Sequence, residues 1–451
     1  MEKNATSSSA KIYVGLDIGT TKIATIVGYV GADKKIEILG IGKCESTGVE
    51  HGIIQNVFKT NECIKNSIAL AESRSGEKIS VVCAGVAGQH IKSTEYQHAF
   101  KRPNGKETVI SQEEIDGFVE RLWHILLQPE EQIIDVIPQR YEVDGHVTFE
   151  PVGEQGENVK GLFQVITGRE NDIRNIINCI NNAHVKVSDI ILEPLASGTA
   201  CLTDEEQRQG VILIDIGGGT TDISVYYQGS PVFTEVIPFG GNSITNDISN
   251  ICRISMELAE KVKIEHGTCI EEHSKANNVC VLPTNYGNGK QEISEPYLAK
   301  IINARVKDIV KKVQNVIERC PYKDHLNAGI VLTGGGASMR HIQELFSYEL
   351  GLPVRIGIPG NGFGRNIPAE LKQPMYSTAL GLLKYAVINN PPQEDENEYH
   401  TTQPVPTEPA EEHKSKEKKT VKRQSPVGNN LGSKLKTAWD KLLDNLVQAT
   451  E

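Results

Sequence analysis

Apolar runs of strand length alternate with stretches of helical period over the first 390 residues, and most are closed by glycine or a short polar turn. Residues 11–17 (KIYVGLD) are a compact apolar run ending at an Asp and followed by Ile and Gly. TKIATIVGYV and KKIEILGIGKCES read as two further strands joined at Gly31–Asp33. The spacing predicts a helix over about 56–73, then the strand KISVVCAGV. Residues 211–217 (VILIDIG) repeat the opening, TDISVYYQG and SPVFTEVIP supply two more strands, and a helical stretch begins near Asn242. The unit of strand, glycine turn, hairpin and helix therefore occurs twice, and Asp17-Ile-Gly-Thr-Thr21 matches Asp215-Ile-Gly-Gly-Gly-Thr-Thr221 closely. A duplicated α/β domain is the natural reading.

Two inserts separate the shared elements. Residues 87–162 read as polar and irregular, with a helix from Ser111 to about Leu127 opened by a capping box of Ser111 and Glu114. Residues 241–324 hold two helical stretches. The second begins at Ser294 with Pro296 in its first turn and places Ile302, Val306, Ile309, Val313 and Val316 at helical spacing. AGIVLTGGGASMRHIQELFSYELG then reads as strand, glycine turn and helix, closed by Gly351. Residues 390–430 are rich in Pro, Glu and Lys and bury too little apolar surface to offset ordering, so they are expected to be a disordered linker. Apolar periodicity resumes over Leu431 to Val447. At about 100° per residue, Leu431, Leu435, Ala438, Trp439, Leu442, Leu443 and Leu446 share one face, flanked by Lys434 and Lys436, with Asp440 and Asp444 opposite. That stretch is too short and polar to span a bilayer and reads as an amphipathic anchor on a membrane surface.

Composition narrows the function classes. The 451-residue chain carries 58 acidic and 47 basic residues, a formal net charge of -11, which argues against a general nucleic-acid binder. The 9 cysteines are scattered with no CxxC pair, and no HExxH occurs, so neither a disulfide framework nor a protein-ligated catalytic metal is expected. The thiols read as reduced.

The chemistry concentrates in glycine turns. Asp17 ends a buried strand and precedes Gly19, Thr20, Thr21 and Lys22; taken alone, this is better read as a tight hairpin than as a phosphate site. Gly217, Gly218 and Gly219, followed by Thr220 and Thr221, leave almost no side-chain bulk, which costs stability unless something must approach closely. Asp17 and Asp215 then stand at equivalent ends of two related sheets, where a magnesium ion is reached mainly through water. A third turn, Gly334, Gly335 and Gly336, is read as opening a helix whose amides favour an anion. Three such turns, two after matching Asp residues, predict a nucleotide cleft between two lobes.

The order DIGTTK, EPLASG (193–198), DIGGGTTD, AEKVKIEHG (259–267) and TGGGA resembles the actin-like ATPase superfamily. Within it, the 87–162 insert and the terminal helix resemble the FtsA family of bacterial cell-division proteins. The resemblance implies a duplicated actin-like (ribonuclease H-like) α/β fold. It divides the chain into a first lobe over 11–86, continued by about 163–195 and 374–389, and a second over 196–240, continued by about 325–373. An SHS2-type insert would cover 87–162, a second-lobe insert 241–324, and residues 1–10 would be disordered. It implies ATP and Mg2+ as ligands, held by the three glycine turns, with Asp17 and Asp215 on the metal, Glu193 positioning the attacking water, and Glu260 and Lys263 beside the adenosine. Each has a plainer alternative: a helix-capping carboxylate for Glu193, and an exposed pair for Glu260 and Lys263. It further implies binding of the FtsZ C-terminal peptide on 241–324 near Arg305, with Lys307 and Lys311 close by. Self-association into filaments, recruitment of later division proteins, and a place on the cytoplasmic face of the membrane at the division site complete the expectation. Leu435, Trp439, Leu442, Leu443 and Leu446 would enter the bilayer surface. Whether ATP is hydrolysed at a useful rate stays open. A PilM-like assembly scaffold and an ATP-dependent sugar or metabolite kinase are the alternatives on the same fold.

Overall fold

β1 (Ile12–Ile18) and β2 (Lys22–Val30) pair antiparallel, and β2 pairs in the same way with β3 (Ile36–Glu45). In β1, six consecutive residues from Tyr13 to Ile18 are buried, so both faces of the strand are covered. A two-residue ladder, β4 (Val49–Glu50) with β5 (Ile53–Ile54), leads into α1 (Val57–Ser75). Asn56 caps α1 by accepting from the Lys59 N–H, and Gly76 ends it in the left-handed region at φ 76. β6 (Val81–Val86) then joins β1 in parallel. The computed structural model describes residues 11–102, 107–275, 278–283, 290–365 and 367–391; the linker and the terminal helix read from the sequence lie outside the described residues.

The first insert departs from its reading as irregular chain. β7 (Lys92–Lys101), β8 (Glu131–Val143), β9 (His146–Thr148) and β10 (Asn158–Arg169) form a four-stranded sheet in the order β7-β10-β8-β9. α2 (Gln112–Leu122) covers one face, opened by the Ser111–Glu114 capping box. The helix stops at Leu122, short of the expected Leu127. The sheet was hidden because β7 is an edge strand of mostly exposed polar residues, with no apolar run to read. Its core is built on Phe118 and Phe163, both fully buried, with ring centroids 5.2 Å apart in an edge-on arrangement. In β8, Leu162 faces Arg140 but Phe163 faces Pro138, so Gln139 bulges where Pro138 has no N–H to give the ladder. The freed Gln139 side chain donates to the Pro231 carbonyl at 2.8 Å.

α3 (Glu170–Asn181) and β11 (Lys186–Leu192) return the chain to the first sheet, whose order is β11-β6-β1-β2-β3. α4 (Glu193–Cys201) and the short α5 (Asp204–Gln209) lead to the second. There β12 (Val211–Ile216), β13 (Thr221–Tyr227) and β14 (Ser230–Ile237) repeat the antiparallel meander. α6 (Gly241–Cys252) and α7 (Met256–His266) follow, then the hairpin β15 (Val279–Pro283) with β16 (Lys290–Ser294), and α8 (Glu295–Arg319). The described helices between 241 and 324 thus include three α-helices rather than two, because Arg253 turns left-handed at φ 53 and splits the first stretch. The stripe Ile302, Val306, Ile309, Val313 and Val316 of α8 is buried as its period predicts. β17 (Ile330–Thr333), α9 (Ile342–Leu350) and β18 (Val354–Ile356) complete the sheet in the order β14-β13-β12-β17-β18, and α10 (Ser377–Asn389) closes the described chain. The two five-stranded sheets have one topology: an antiparallel meander, then two parallel strands on the far side of its first strand.

The third glycine turn corrects its reading as a helix start. Gly335–Ser338 makes one turn of 3-10 helix, and α9 begins only at Ile342, after His341 at φ 62. The break falls at Met339, extended at ψ 137, and at the left-handed His341.

Candidate functional site

The matching turns close in the same way. Gly19 N–H donates to the Lys22 carbonyl at 3.0 Å, and Gly217 N–H donates to the Thr220 carbonyl at 2.9 Å. Asp17 and Asp215 occupy the penultimate residues of β1 and β12 and line one cleft. Gly19, Thr20, Thr21, Lys22, Glu193, Gly217, Gly218, Gly219, Thr220, Gly334 and Gly335 line it with them. Thr221, Gly336, Glu260 and Lys263 are not among the residues lining it. Thr221 gives its hydroxyl to the Phe239 carbonyl at 2.8 Å. Gly336 lies against Ile216, Cγ2 of which is 2.4 Å from where a Cβ would stand. Asp222, Gly52, Ala87, Met375 and Thr378 line the cleft and were missed by sequence. Asp222 had a signal, since it closes DIGGGTTD; Thr378, on the last described helix, had none.

Glycine is required where the two lobes meet. A Cβ on Gly218 would stand 2.3 Å from Thr21 Cγ2, so the first and second turns are in direct contact. Gly334 has φ 83, and a Cβ there would stand 2.2 Å from Asp215 Oδ1. His51 adds a further bond, its Nδ1 lying 2.8 Å from the Gly219 carbonyl.

The carboxylates share one Lys. Lys22 Nζ is 2.5 Å from Asp17 Oδ2. Burial raises the Asp222 carboxyl to about 8, with Asp215 adding to it. Burial, then Asp17, Asp222 and Asp215, pushes Glu193 well above the usual carboxylate range. Asp215 is raised by burial too, against the hydrogen bond from Ser197. Asp222 Oδ1 is buried without a hydrogen-bond partner among the described residues. Glu193 is the first residue of α4, and no side-chain bond caps that helix. Crowded carboxylates with an orphaned oxygen and bare backbone amides suit positive charge bridged to an anion. Among the described residues, no group of three or more His, Cys, Asp or Glu side chains is placed to hold a metal ion directly.

Glu260 and Lys263 are more than a surface pair. Lys263 is 8% exposed; its Nζ donates to the Gly241 carbonyl at 3.1 Å, to Thr245 at 2.8 Å and to Glu260 at 2.6 Å, and burial lowers its pKa. Gly241 and Asn242 N–H in turn donate to the Gly217 and Gly218 carbonyls at 2.9 and 2.8 Å. Lys263 therefore supports the second turn from beneath. Arg305 lies outside the cleft and is engaged by Asp247 at 2.6 and 2.9 Å, joining α8 to α6. Lys307 pairs with Glu349 at 3.0 Å.

Known proteins match this arrangement. Residues 212–381 fit the family model "Cell division protein FtsA", and residues 88–167 fit "SHS2 domain inserted in FTSA". The chain is 37% identical to the cell division protein FtsA of Neisseria meningitidis over 373 residues, covering 82% of this chain and 89% of that protein. It is 32% identical to that of Escherichia coli K12, covering 84% and 91%. Among solved structures, the PilM-PilN type IV pilus biogenesis complex superposes with TM-score 0.60 at 17% identity, covering 83% of this chain and 98% of that one. MreB5 of Spiroplasma citri bound to ADP gives 0.51 at 16% identity, covering 84% and 99%. These structural likenesses establish the actin-like fold. With two duplicated sheets closed on one cleft, an SHS2 insert after the first of them and relatives of more than 30% identity over most of its length, the chain belongs to the FtsA family of bacterial cell-division proteins.

Proposed function

We propose that the chain binds ATP with Mg2+ in the cleft, assembles into filaments and ties the FtsZ ring to the cytoplasmic face of the membrane at the division site, where later division proteins join it. The observation that carries the nucleotide reading is the convergence of three glycine turns, Lys22 and the carboxylates of Asp17, Asp215, Asp222 and Glu193 on one cleft. Its lining of bare amides, threonine hydroxyls, one Lys and carboxylates suits phosphate together with a cation. The ADP carried by the Spiroplasma MreB5 structure supports the same reading of a shared fold. Family membership supports the division role over a pilus scaffold or a metabolite kinase.

Asp17 and Asp215 would hold the ion through water, since magnesium keeps much of its hydration. The ion, when bound, supplies positive charge that neutralises phosphate oxygens. The bare amides of Gly217 to Gly219 would face phosphate, and Lys22, at 2.5 Å from Asp17, would add its charge from the first turn. Burial and the neighbouring carboxylates favour the protonated form of Glu193, which opposes its acting as a base on water. Hydrolysis is expected to be at most slow, since bound positive charge would have to offset that push. The segment 431–447 would bind lipid weakly as one copy and firmly when filaments gather many copies.

Calorimetric titration of the full chain with ATP, with and without Mg2+, tests the cleft; no binding in either condition sinks the nucleotide reading. Co-sedimentation with anionic liposomes of the full chain, a 1–430 truncation and Trp439→Glu tests the anchor. Both variants should stay in the supernatant, and equal pelleting of all three removes it.

A further inference from the structure

All nine cysteines are free thiols, and Cys44 is the one that is not buried. It stands near the end of β3, opposite Ile23 of β2. Cys63 lies on the buried face of α1. The two thiols converge on one acceptor: Cys44 donates to the Glu45 carbonyl oxygen at 3.4 Å and Cys63 to the same oxygen at 3.3 Å. The two thiols are also close enough to influence each other electrostatically. A strand and a helix 19 positions apart in the chain thus bring one accessible and one inaccessible sulfur together. Thiol-to-carbonyl bonds are weak, so replacing them by a covalent link forfeits little.

We propose that Cys44 and Cys63 form a redox modification site that takes a low-molecular-weight disulfide of the glutathione type. The Cys44 thiolate attacks one sulfur of the small disulfide. A bond forms between Cys44 Sγ and that sulfur, the small S–S bond breaks, and one small thiolate leaves. The Cys63 thiolate then attacks Cys44 Sγ, the protein S–S bond forms, and the second small thiolate leaves. Two electrons pass from the protein to the oxidant, and the two thiol protons end on the departing thiolates or solvent. This order follows from access, because only Cys44 meets an incoming molecule, and from proximity, because Cys63 is the thiol beside it. Burial, then Cys63 itself, holds the Cys44 thiol above its ordinary value, with Glu45 adding to the push and Asn66 opposing it. That push lowers the thiolate fraction near neutral pH, so attack by Cys44 is slow and oxidation needs a high ratio of disulfide to thiol.

The link would bear on the cleft. Ser46, two residues after Cys44, donates its N–H to the Thr21 carbonyl at 3.1 Å, and Thr47 Oγ1 is 3.3 Å from Cys63 Sγ. A bond between Cys44 and Cys63 ties α1 to the segment that braces the first glycine turn. This inference rests on the thiol geometry and stands apart from the nucleotide reading.

The experiment exposes the full chain to oxidised and reduced glutathione at graded ratios, quenches with iodoacetamide in denaturant and maps peptides without reduction. The expected result is one linked pair, the Cys44 and Cys63 peptides, with the other seven cysteines alkylated. Cys63→Ser should retain glutathione on Cys44, and Cys44→Ser should leave Cys63 fully alkylated. Each serine keeps a donor for the Glu45 carbonyl, so the local fold is retained. Glutathione left on Cys44 of the unaltered chain, links scattered among other cysteines, or two thiols still alkylated at the most oxidising ratio each overturn the proposal.

Discussion

Ser197 donates its hydroxyl to Asp215 Oδ2 at 2.6 Å, joining α4 to the end of β12. Thr378 of α10 donates to the same oxygen at 3.2 Å, and the two hydroxyls are 3.0 Å apart. One oxygen of Asp215 is thereby committed to two helices outside its own sheet. The other, Oδ1, faces Gly334, which has no side chain to cover it. The carboxylate is aimed by its partners before any ligand arrives.

Ser197→Ala should therefore weaken nucleotide binding mainly when magnesium is present. The bond from Ser197 opposes the upward push of burial on Asp215, so its loss raises that carboxyl further and leaves it less able to hold charge. A hydrogen bond to a charged group contributes about 1.5–3 kcal/mol, so a loss of roughly tenfold to a hundredfold is expected. Thr378→Ala, with the longer bond, should lose less. Calorimetry at neutral pH with and without magnesium checks this; equal losses in both conditions would show that Ser197 merely supports the fold.

Asp222 predicts a pH dependence of stability. Its carboxyl is raised to about 8 in the folded chain from an ordinary 3.8. The folded state then binds the proton more tightly than the unfolded state. The contribution is full below the ordinary carboxylate value and is lost as pH rises towards and through about 8. The ligand-free protein should lose urea resistance between pH 5 and pH 8, and Asp222→Asn should lose less over the same interval, the difference being on the order of a few kcal/mol. Parallel losses in the two proteins would refute the assignment to Asp222.

Gly335→Asp should fold and fail to bind nucleotide. A Cβ at Gly335 meets nothing nearer than Met375 Cβ at 3.9 Å, so a side chain there enters the cleft instead of displacing the core. Its charge would stand where phosphate is proposed to lie. The expected result is an unchanged melting temperature with ATP binding lost. Normal ATP affinity in this variant would move the nucleotide elsewhere.

Arg305 and Asp247 should act in opposite directions on the FtsZ C-terminal peptide. Asp247 holds the Arg305 guanidinium at 2.6 and 2.9 Å, and this ion pair competes with any acidic ligand. If Arg305 receives the peptide, Arg305→Ala weakens binding, whereas Asp247→Ala releases the guanidinium and tightens it by several-fold. Weakening by both variants in a fluorescence titration would assign the pair to the α6–α8 packing alone.

The duplicated core was legible because its signals are local. KIYVGLD and VILIDIG are strands covered on both faces, so their apolar residues are contiguous. The Ser111–Glu114 box and the Ser294-Glu-Pro296 start are hydrogen-bonding patterns within one turn. The four-stranded insert was not legible. β7 is a polar edge strand, and its place depends on pairing with β10 some sixty residues later. The split between α6 and α7 turns on the left-handed Arg253, a conformation that an arginine side chain does not announce.

For the cleft, the sequence by itself determined which turns carry glycine and which strands end in Asp17 and Asp215, since backbone approach and charge are properties of single residues. Tertiary structure decided how they act together. It set Thr378 and Ser197 on Asp215, brought Glu193 and Asp222 into the same field, and buried Lys263 as a brace under Gly241. These depend on elements far apart in the chain meeting at 3 Å, and on burial that pushes the carboxyl pKa values upward. Neither distance nor burial is encoded by spacing along the chain; both arise only when the two sheets close on the cleft.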